Sequence, residues 1–191
     1  MQKSTVYRDR ANLKRDTAAR ISGLKCRTKG EIMLTNDREI TDFDTIDSVL
    51  NSTRVCRIAL IDGDRPYIVP MCFGYNLEGG KLELFFRCEE KGKKFDLIKN
   101  NNCAAFEIDK LHDIIKSEKF YGFSALSYHS ITGTGVIEVT TGIEKITGLE
   151  FIMKKYGEFS DNAKLPEQVL NSIAVLKLTA GEFCCKEHNA E

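Results

Sequence analysis

The chain has 191 residues, of which 42% are apolar and 29% are charged, a composition typical of one globular domain. Its 28 basic side chains balance 28 acidic ones, so its net charge disfavours nucleic acid or an anionic membrane as the main partner. No apolar run approaches the ~20 residues that cross a bilayer, and the polar N-terminus lacks the apolar stretch of a secretion signal. We therefore expect a cytoplasmic protein.

Residues 1–36 differ from the rest, because nine Lys or Arg stand against three acids and the apolar residues follow no clear period. We expect an N-terminal extension that is flexible or loosely packed, followed by one domain over residues 37–191. Three interpretations stay open for the extension: a frayed helical arm, a tail that docks a partner, or coding sequence upstream of a start at Met33.

From residue 41 the pattern becomes regular. Thr41 or Asp42 can cap a short helix over about 44–52, because Ile46, Val49 and Leu50 follow at helical spacing. Alternating β-branched residues then predict the first strand, a hairpin turn separates it from its partner, and a second turn leads to a third strand. These segments are Arg54–Ile61, Asp62–Asp64, Tyr67–Tyr75, Leu77–Gly80 and Lys81–Arg87.

The second half of the chain predicts two helices and three more strands, while residues 110–123 are ambiguous. The helices are Lys93–Lys99 and Ile143–Tyr156, and the strands are Cys103–Ile108, Ser127–Val139 and Ile173–Leu178. Gly133 and Gly135 predict a bulge or a bend within the long strand. Six strands joined mainly by hairpins indicate a mainly β (α+β) fold, an antiparallel barrel with flanking helices.

Several of these segments carry a family resemblance. The chain resembles the nitroimidazole-resistance group of the pyridoxamine 5'-phosphate oxidase-like flavoproteins in DREITDFDTI at 37–46, RPYIVPMCFGY at 65–75 and FFRCEEKGKKFDLIKNNNCAAFEID at 85–109. SYHSITGTGVIEV at 127–139 and IAVLKLTAGEF at 173–183 extend the resemblance to roughly residues 37–183. It implies a six-stranded split β-barrel that forms a homodimer, with two FMN sites between the protomers.

The turn between the third strand and the next helix suits the phosphate of such a cofactor. Lys91, Gly92, Lys93 and Lys94 combine cationic side chains with the free N–H groups of a helix start, and Gly92 lets a ligand approach the backbone. The resemblance places Lys93 where the family has a phosphate-binding Lys. An isolated KGKK segment is more often a solvated charge run, so the strand–loop–helix setting decides the prediction.

The flavin ring needs an apolar slot with backbone groups for its polar edge. We predict that Val69, Pro70, Met71 and Cys72 form its floor, because Pro70 cannot donate to a β-ladder and belongs at an edge or bulge. One of Phe85 and Phe86 could line the flavin ring, since neighbouring strand residues point to opposite faces, although aromatic residues in strands are more often core. We predict that Phe86, Arg87 and Cys88 contact the cofactor. The resemblance also places Tyr128 and Ser130 near the site, reaching it from the partner protomer.

Arg87 departs from the family pattern, in which many members have His after the aromatic pair. Because Arg is permanently charged, we hypothesise that it binds an anion rather than moving protons.

The cysteines and histidines show no metal-ligand spacing, so no metal is predicted. The seven cysteines also lack a CxxC pair and are expected to be mostly reduced. By default Cys72 and Cys88 are buried, inert thiols, whereas Cys184 and Cys185 are candidates for exposed, oxidisable ones. The cysteines are Cys26, Cys56, Cys72, Cys88, Cys103, Cys184 and Cys185, and the histidines are His112, His129 and His188.

Three functions follow from these features. The leading one is an FMN-dependent oxidoreductase that passes electrons from a reduced nicotinamide to a small acceptor, with a nitroaromatic compound suggested by the family. The second is a non-catalytic split-barrel module that holds flavin or haem. The third is a dimeric scaffold whose basic residues 1–36 recruit another protein.

Overall fold

A computed structural model describes residues 38–116, 124–157 and 167–188. The predicted extension over residues 1–36 lies outside the described residues, so its looseness and its boundary with the domain stay predictions.

Within the described ranges the chain forms eight strands and four helices. The strands are β1 (Glu39–Ile40), β2 (Val55–Asp62), β3 (Arg65–Cys72), β4 (Gly74–Glu78), β5 (Lys81–Cys88), β6 (Cys103–Lys116), β7 (Ser124–Val139) and β8 (Ala174–His188). The helices are α1 (Phe43–Ser52), α2 (Lys93–Asn100), α3 (Gly142–Lys155) and α4 (Glu167–Ser172). None of these helices has the length and apolar character needed to span a membrane.

All strand pairings are antiparallel, in the order β3-β2-β6-β7-β8-β5-β4, and β1 pairs with β8. This sheet, with its flanking helices, confirms the predicted mainly β split barrel. The predicted count of six strands is wrong for two reasons. The two residues of β1 are too few to show an alternating pattern, and the predicted strand over 67–75 divides at Phe73 into β3 and β4.

Phe73 marks the point where the chain leaves one edge of the sheet for the other. Its side chain is fully buried, and its backbone N–H donates to the Tyr156 hydroxyl oxygen at 3.3 Å, which takes it out of a ladder. At Gly74 a Cβ atom would collide with the backbone of Ile152 in α3. A glycine therefore lets helix α3 lie directly on the start of β4.

The core lies inside the barrel, where alternate residues of the strands point. The inward residues of neighbouring strands form layers, such as Ile58, Phe106 and Gly133. One face of α1 and one face of α2 complete this core, through Ile46, Val49, Leu50, Phe95, Leu97 and Ile98. A smaller cluster, made by Phe85, Leu149 and Val175, lies outside the barrel beneath α3.

Gly133 and Gly135 mark an irregularity, as predicted, since the β7–β8 register shifts between Thr134 and Gly135. A Cβ atom on Gly133 would lie 2.5 Å from the Glu182 carbonyl oxygen and 2.6 Å from the Phe106 ring. Glycine is required here because the strands and the core ring approach too closely for any side chain.

Strands β6 and β8 are longer than predicted. β6 continues from the predicted end at Ile108 to Lys116, and β8 continues from Leu178 to His188. Residues 109–112 and 182–188 carry many polar side chains, which hides the alternation, but both strands pair with β7. The ambiguous segment 110–123 thus begins as strand, and its residues 117–123 lie outside the described ranges.

Candidate cofactor site

The start of α2 is an open anion-binding geometry. Gly92 precedes the helix with φ 116° and ψ 170°, in the region that favours glycine, and it provides no side-chain cap. A Cβ atom placed on Gly92 would meet nothing within 4 Å, so the space in front of the helix is free. The Phe95 N–H donates to the Gly92 carbonyl at 3.0 Å, so the N–H groups of Lys93 and Lys94 are those that an anion can reach, and the helix dipole favours an anion there.

Lys93 ties this helix start to the β2–β3 hairpin. Its Nζ lies 2.5 Å from the Asp62 carboxylate and 5.0 Å from the centroid of the Tyr67 ring. The hydrogen bond from Lys93 to Asp62 raises the pKa of this lysine. Hence Lys93 is charged at neutral pH and its ammonium group is oriented. One of the N–H donors of this group is already bonded to the Asp62 carboxylate.

The other cations of the turn differ in exposure. Lys91 is exposed and Lys94 is half-buried. Burial raises the pKa of the Cys88 thiol, against the positive charge of Lys94, which lowers it. Cys88 is therefore a protonated, half-buried thiol beside the cationic turn, rather than a reactive thiolate.

Strand β3 leads away from Tyr67 along the edge of the sheet. It stands at one end of the strand order and pairs with β2 without a register shift, which confirms the edge position predicted for Pro70. Val69 and Met71 are half-buried, whereas Pro70 and Cys72 are exposed on the other face. The four residues predicted as the ring floor thus present two faces rather than one, because successive strand residues alternate.

Both aromatic residues of β5 are core residues. Phe86 has no exposed surface inside the barrel, and Phe85 stacks on Phe151 of α3 with ring centroids 5.3 Å apart. Both aromatic residues are therefore core residues, the alternative to lining a ligand, and Phe86 presents no surface to a ligand. Arg87, on the outer face, is exposed, and its side chain has no ion pair or hydrogen bond within the described part of the chain.

Two cysteine predictions are wrong. Cys72 is exposed rather than buried, because it is the last residue of the edge strand β3 and its side chain points to the outer face of the sheet. Cys185 is buried rather than exposed, because β8 continues past it and directs its thiol into the core, where burial raises its pKa to about 11. Cys184 is half-buried on the opposite face.

Tyr128 and Ser130 lie far from the α2 start in the same chain. Ser130 pairs with Asp109, and Tyr128 contacts the His188 ring at a centroid distance of 5.8 Å. The end of β7 that lies closest to α2 is at Ile137, whose N–H donates to the carbonyl of Asn102, just after α2. Val136 and Tyr128 are eight residue steps apart along the strand, a distance of roughly 25 Å.

Sequence reasoning missed Asp62 and Tyr67, the two hairpin residues that contact Lys93. The predicted turn over 62–64 located Asp62 in a hairpin, but no local pattern links it to α2. Only the fold of β2 against α2 joins them. Tyr67 carried a weak signal, since it precedes Val69 by two residues and so shares its face of β3.

A comparison with protein families identifies the family of the chain. The family model described as pyridoxamine 5'-phosphate oxidase matches residues 42–186. The chain belongs to this family. The matched region includes both the β3 edge and the α2 start, and no curated protein sequence matches the chain.

Three solved structures with the same fold are informative. A candidate 5-nitroimidazole antibiotic resistance protein from Bacteroides thetaiotaomicron has a TM-score of 0.65 and 22% identity, over 78% of this chain and 86% of its own. The FAD and haem binding protein of Mycobacterium smegmatis has a TM-score of 0.67 and 19% identity, over 81% and 75%. The flavocytochrome Anf3 of Azotobacter vinelandii has a TM-score of 0.62 and 17% identity, over 78% and 68%. At these identities the similarity shows a shared fold.

Proposed function

We propose that this family member binds FMN and passes electrons from a reduced nicotinamide to a small planar acceptor, such as a nitroaromatic compound, in the cytoplasm. The observation that carries the proposal is the start of α2, where an uncapped helix, an open glycine and three lysines converge. The bound flavin would supply the chemistry, accepting a hydride and releasing electrons. The chain itself would hold and orient the cofactor.

The phosphate of FMN fits the α2 start by charge. A phosphate monoester carries close to two negative charges at neutral pH, and Lys91, Lys93 and Lys94 can neutralise them while the N–H groups of α2 donate hydrogen bonds. Asp62 competes for Lys93, so the phosphate would displace this carboxylate or share the ammonium with it. An Asp62→Asn protein should therefore bind FMN more tightly than the natural chain.

The ring is proposed to lie along the free edge of β3. Because β3 pairs on one side only among the described strands, its other side offers backbone groups for the polar edge of a flavin. Val69 and Met71 supply apolar surface on one face of this edge, and Pro70 and Cys72 on the other. Cys88 lies near the phosphate end, whereas Phe86 would support the site only from inside the core.

A homodimer would bring the predicted distant residues into reach. The outer face of β2 and β3 exposes apolar side chains beside Arg57, including Ile68 at 62% exposure, which suits burial against a second copy. Arg57 is held by Glu107 at 2.9 Å and by Asp109. In such a dimer Tyr128 and Ser130 would approach the flavin from the partner.

Arg87 is proposed to bind an anionic group of the substrate or cofactor. Its guanidinium is exposed and unpaired within the described residues, in the strand that leads to the cationic turn. An Arg87→Ala protein should lose affinity for the substrate or for FMN. Unchanged affinity for both would remove this role.

The test starts from the full chain purified without added cofactor. We expect a flavin absorbance spectrum, FMN as the released chromophore, and oxidation of NADH or NADPH that a nitroaromatic compound accelerates. A colourless protein that also fails to bind added FMN would reject the site, whereas bound FMN without turnover would reject the oxidoreductase alone.

A second candidate is a non-catalytic module that holds flavin or haem. The Mycobacterium smegmatis neighbour is described as an FAD and haem binding protein and the Azotobacter vinelandii neighbour as a flavocytochrome, so the fold accommodates both flavin and haem. A haem spectrum in the purified chain would place it first.

A further inference from the structure

At the far end of the barrel from α2, two histidines that are separated in sequence face each other. His112 lies in β6 where the register against β7 shifts between Leu111 and Ile114, and His129 lies in β7 opposite Lys110. His112 Nε2 is 2.5 Å from His129 Nδ1, and the ring centroids are 4.7 Å apart at 77°. The irregularity in β6 thus turns His112 toward its diagonal neighbour on the next strand.

A carboxylate orients the inner histidine. Glu187 of β8 pairs with His129, and its Oε1 lies 3.1 Å from His129 Nε2. In the neutral ring Nε2 therefore carries the proton and donates a hydrogen bond to Glu187. The lone pair of Nδ1 then faces His112. A carboxylate behind a histidine in this way is the usual support of a metal-binding imidazole.

His129 is surrounded by three ionisable side chains. Burial lowers the pKa of His129, Glu187 opposes this effect, and the charges of His112 and Lys110 lower the pKa further. The groups that face His129 are thus His112 on its Nδ1 side, Glu187 on its Nε2 side, and Lys110 opposite it in β6.

We propose that His112 and His129 form a binding site for a divalent transition-metal ion of the zinc, nickel and copper class, with Glu187 as the supporting carboxylate. Imidazole nitrogens suit these ions rather than magnesium or calcium. Zinc lies ~2.0–2.1 Å from each imidazole nitrogen, so a tetrahedral ion needs the two nitrogens roughly 3.3 Å apart. His112 is exposed, and a small rotation of its ring opens the present 2.5 Å spacing.

The proposed site is open. No third Cys, His, Asp or Glu of the described residues completes a metal cluster, so water or a small ligand would fill the remaining positions. Such a site binds its ion more weakly than a closed structural site and leaves coordination positions free for an anionic ligand. The pair lies at the opposite end of the barrel from the α2 start of the same chain, but His129 is flanked in β7 by Tyr128 and Ser130, which the proposed homodimer brings to the flavin of the partner. Zinc binding is measured without flavin, so its failure is distinguishable from a failure of the proposed function.

The test exploits the fact that the chain contains three histidines in all. Zinc ion alone is titrated into the reduced full-length protein by calorimetry, and the imidazole nitrogens are followed by NMR. We expect one zinc per chain, with the resonances of His112 and His129 shifted and those of His188 unchanged. His112→Ala and His129→Ala should each weaken binding at least about tenfold, and Glu187→Gln by about tenfold.

His188→Ala is the matched control, because it removes a histidine of the same strand region that contacts Tyr128 instead of the pair. It should bind zinc like the natural chain. His112 is exposed, so its substitution leaves the core intact and keeps the test valid should His129→Ala fail to fold. Equal zinc affinity in His112→Ala and the natural chain, or an equal loss in His188→Ala, would overturn the proposal.

Discussion

The two helices that complete the core begin in opposite ways. At α1 the carboxylate of Asp42 accepts a hydrogen bond from the Thr45 N–H at 2.9 Å and another from the Thr45 hydroxyl at 2.6 Å. At α2 the preceding residue is Gly92, which offers no side-chain acceptor and is flanked by lysines. One helix start has a side chain that accepts a hydrogen bond from a first-turn N–H, whereas the other has no such side chain.

The other end of α1 is also satisfied from within the chain. Lys155 of α3 donates to the carbonyls of Leu50 and Asn51, the latter at 3.2 Å, and lies over the rings of Phe73 and Tyr75 at 4.5 and 5.4 Å. Both termini of α1 are thus structural. The proposed phosphate site thus lies at a helix start without a side-chain cap, whereas both ends of α1 are bonded within the chain.

The largest expected effect comes from reversing the charge at α2. Lys93→Glu with Lys94→Glu should weaken FMN binding at least about 100-fold, because two charge-assisted hydrogen bonds are lost and repulsion replaces them. Affinity is measured by fluorescence titration of FMN. Lys81→Glu with Lys154→Glu changes the net charge equally at exposed positions outside the turn and outside α2, and should keep FMN affinity within about threefold. Equal losses in the two proteins would contradict a specific phosphate site.

Gly92→Ala should have a smaller effect on binding. At φ 116° an alanine is strained, so we expect a loss of about 1–2 kcal/mol in the free energy of unfolding and roughly tenfold weaker FMN binding, as the helix start shifts. Gly79→Ala imposes similar strain at φ 56° in the β4–β5 hairpin. That control should lose stability but keep FMN affinity, and an equal loss of affinity there would deny Gly92 a ligand role.

Lys155→Met removes the support at the end of α1 and should lower the free energy of unfolding by about 1–2 kcal/mol, with FMN affinity unchanged. Burial lowers the pKa of Lys155 to about 8, from an ordinary 10.5. Between these values the unfolded chain binds more protons, so the natural protein gains stability relative to the variant as pH rises. Denaturant unfolding at pH 7 and pH 10 should therefore show a larger cost at pH 10, and a smaller cost would be inconsistent with the buried ammonium.

Asp42→Ala should have the smallest effect, a fall in Tm of roughly 2–4 °C without change in FMN affinity. Hydrogen bonds from Thr45 lower the pKa of Asp42 below its usual 3.8. The cap therefore contributes to the free energy of unfolding at pH values above 3.8, and this contribution is lost as the pH falls through the lowered pKa. Melting curves of the two proteins should differ at pH 7 and converge near pH 2. A constant difference would mean that the carboxylate is not the capping group.

Local patterns were sufficient for most elements. The helix over 44–52, capped by Asp42, and the helix over 93–99 are α1 and α2 within one residue at each end, because apolar spacing and capping residues act within a single turn. Pattern failed where distant contacts decide the conformation, as at Phe73, whose N–H bonds to Tyr156. It also failed in β8 beyond Leu178, where polar residues become strand by pairing with β7.

By itself the sequence determined an antiparallel barrel with a cationic turn at the start of α2, because alternation, turn residues and the KGKK segment are properties of neighbouring residues. The split form of the barrel was implied by the resemblance to the family. Tertiary structure alone decided which residues meet across the fold. Asp62 reaches Lys93, Lys155 reaches the end of α1, and His112 reaches His129 only after strands and helices far apart in the chain have packed together. The closure of the sheet sets these distances, and no local sequence pattern encodes them.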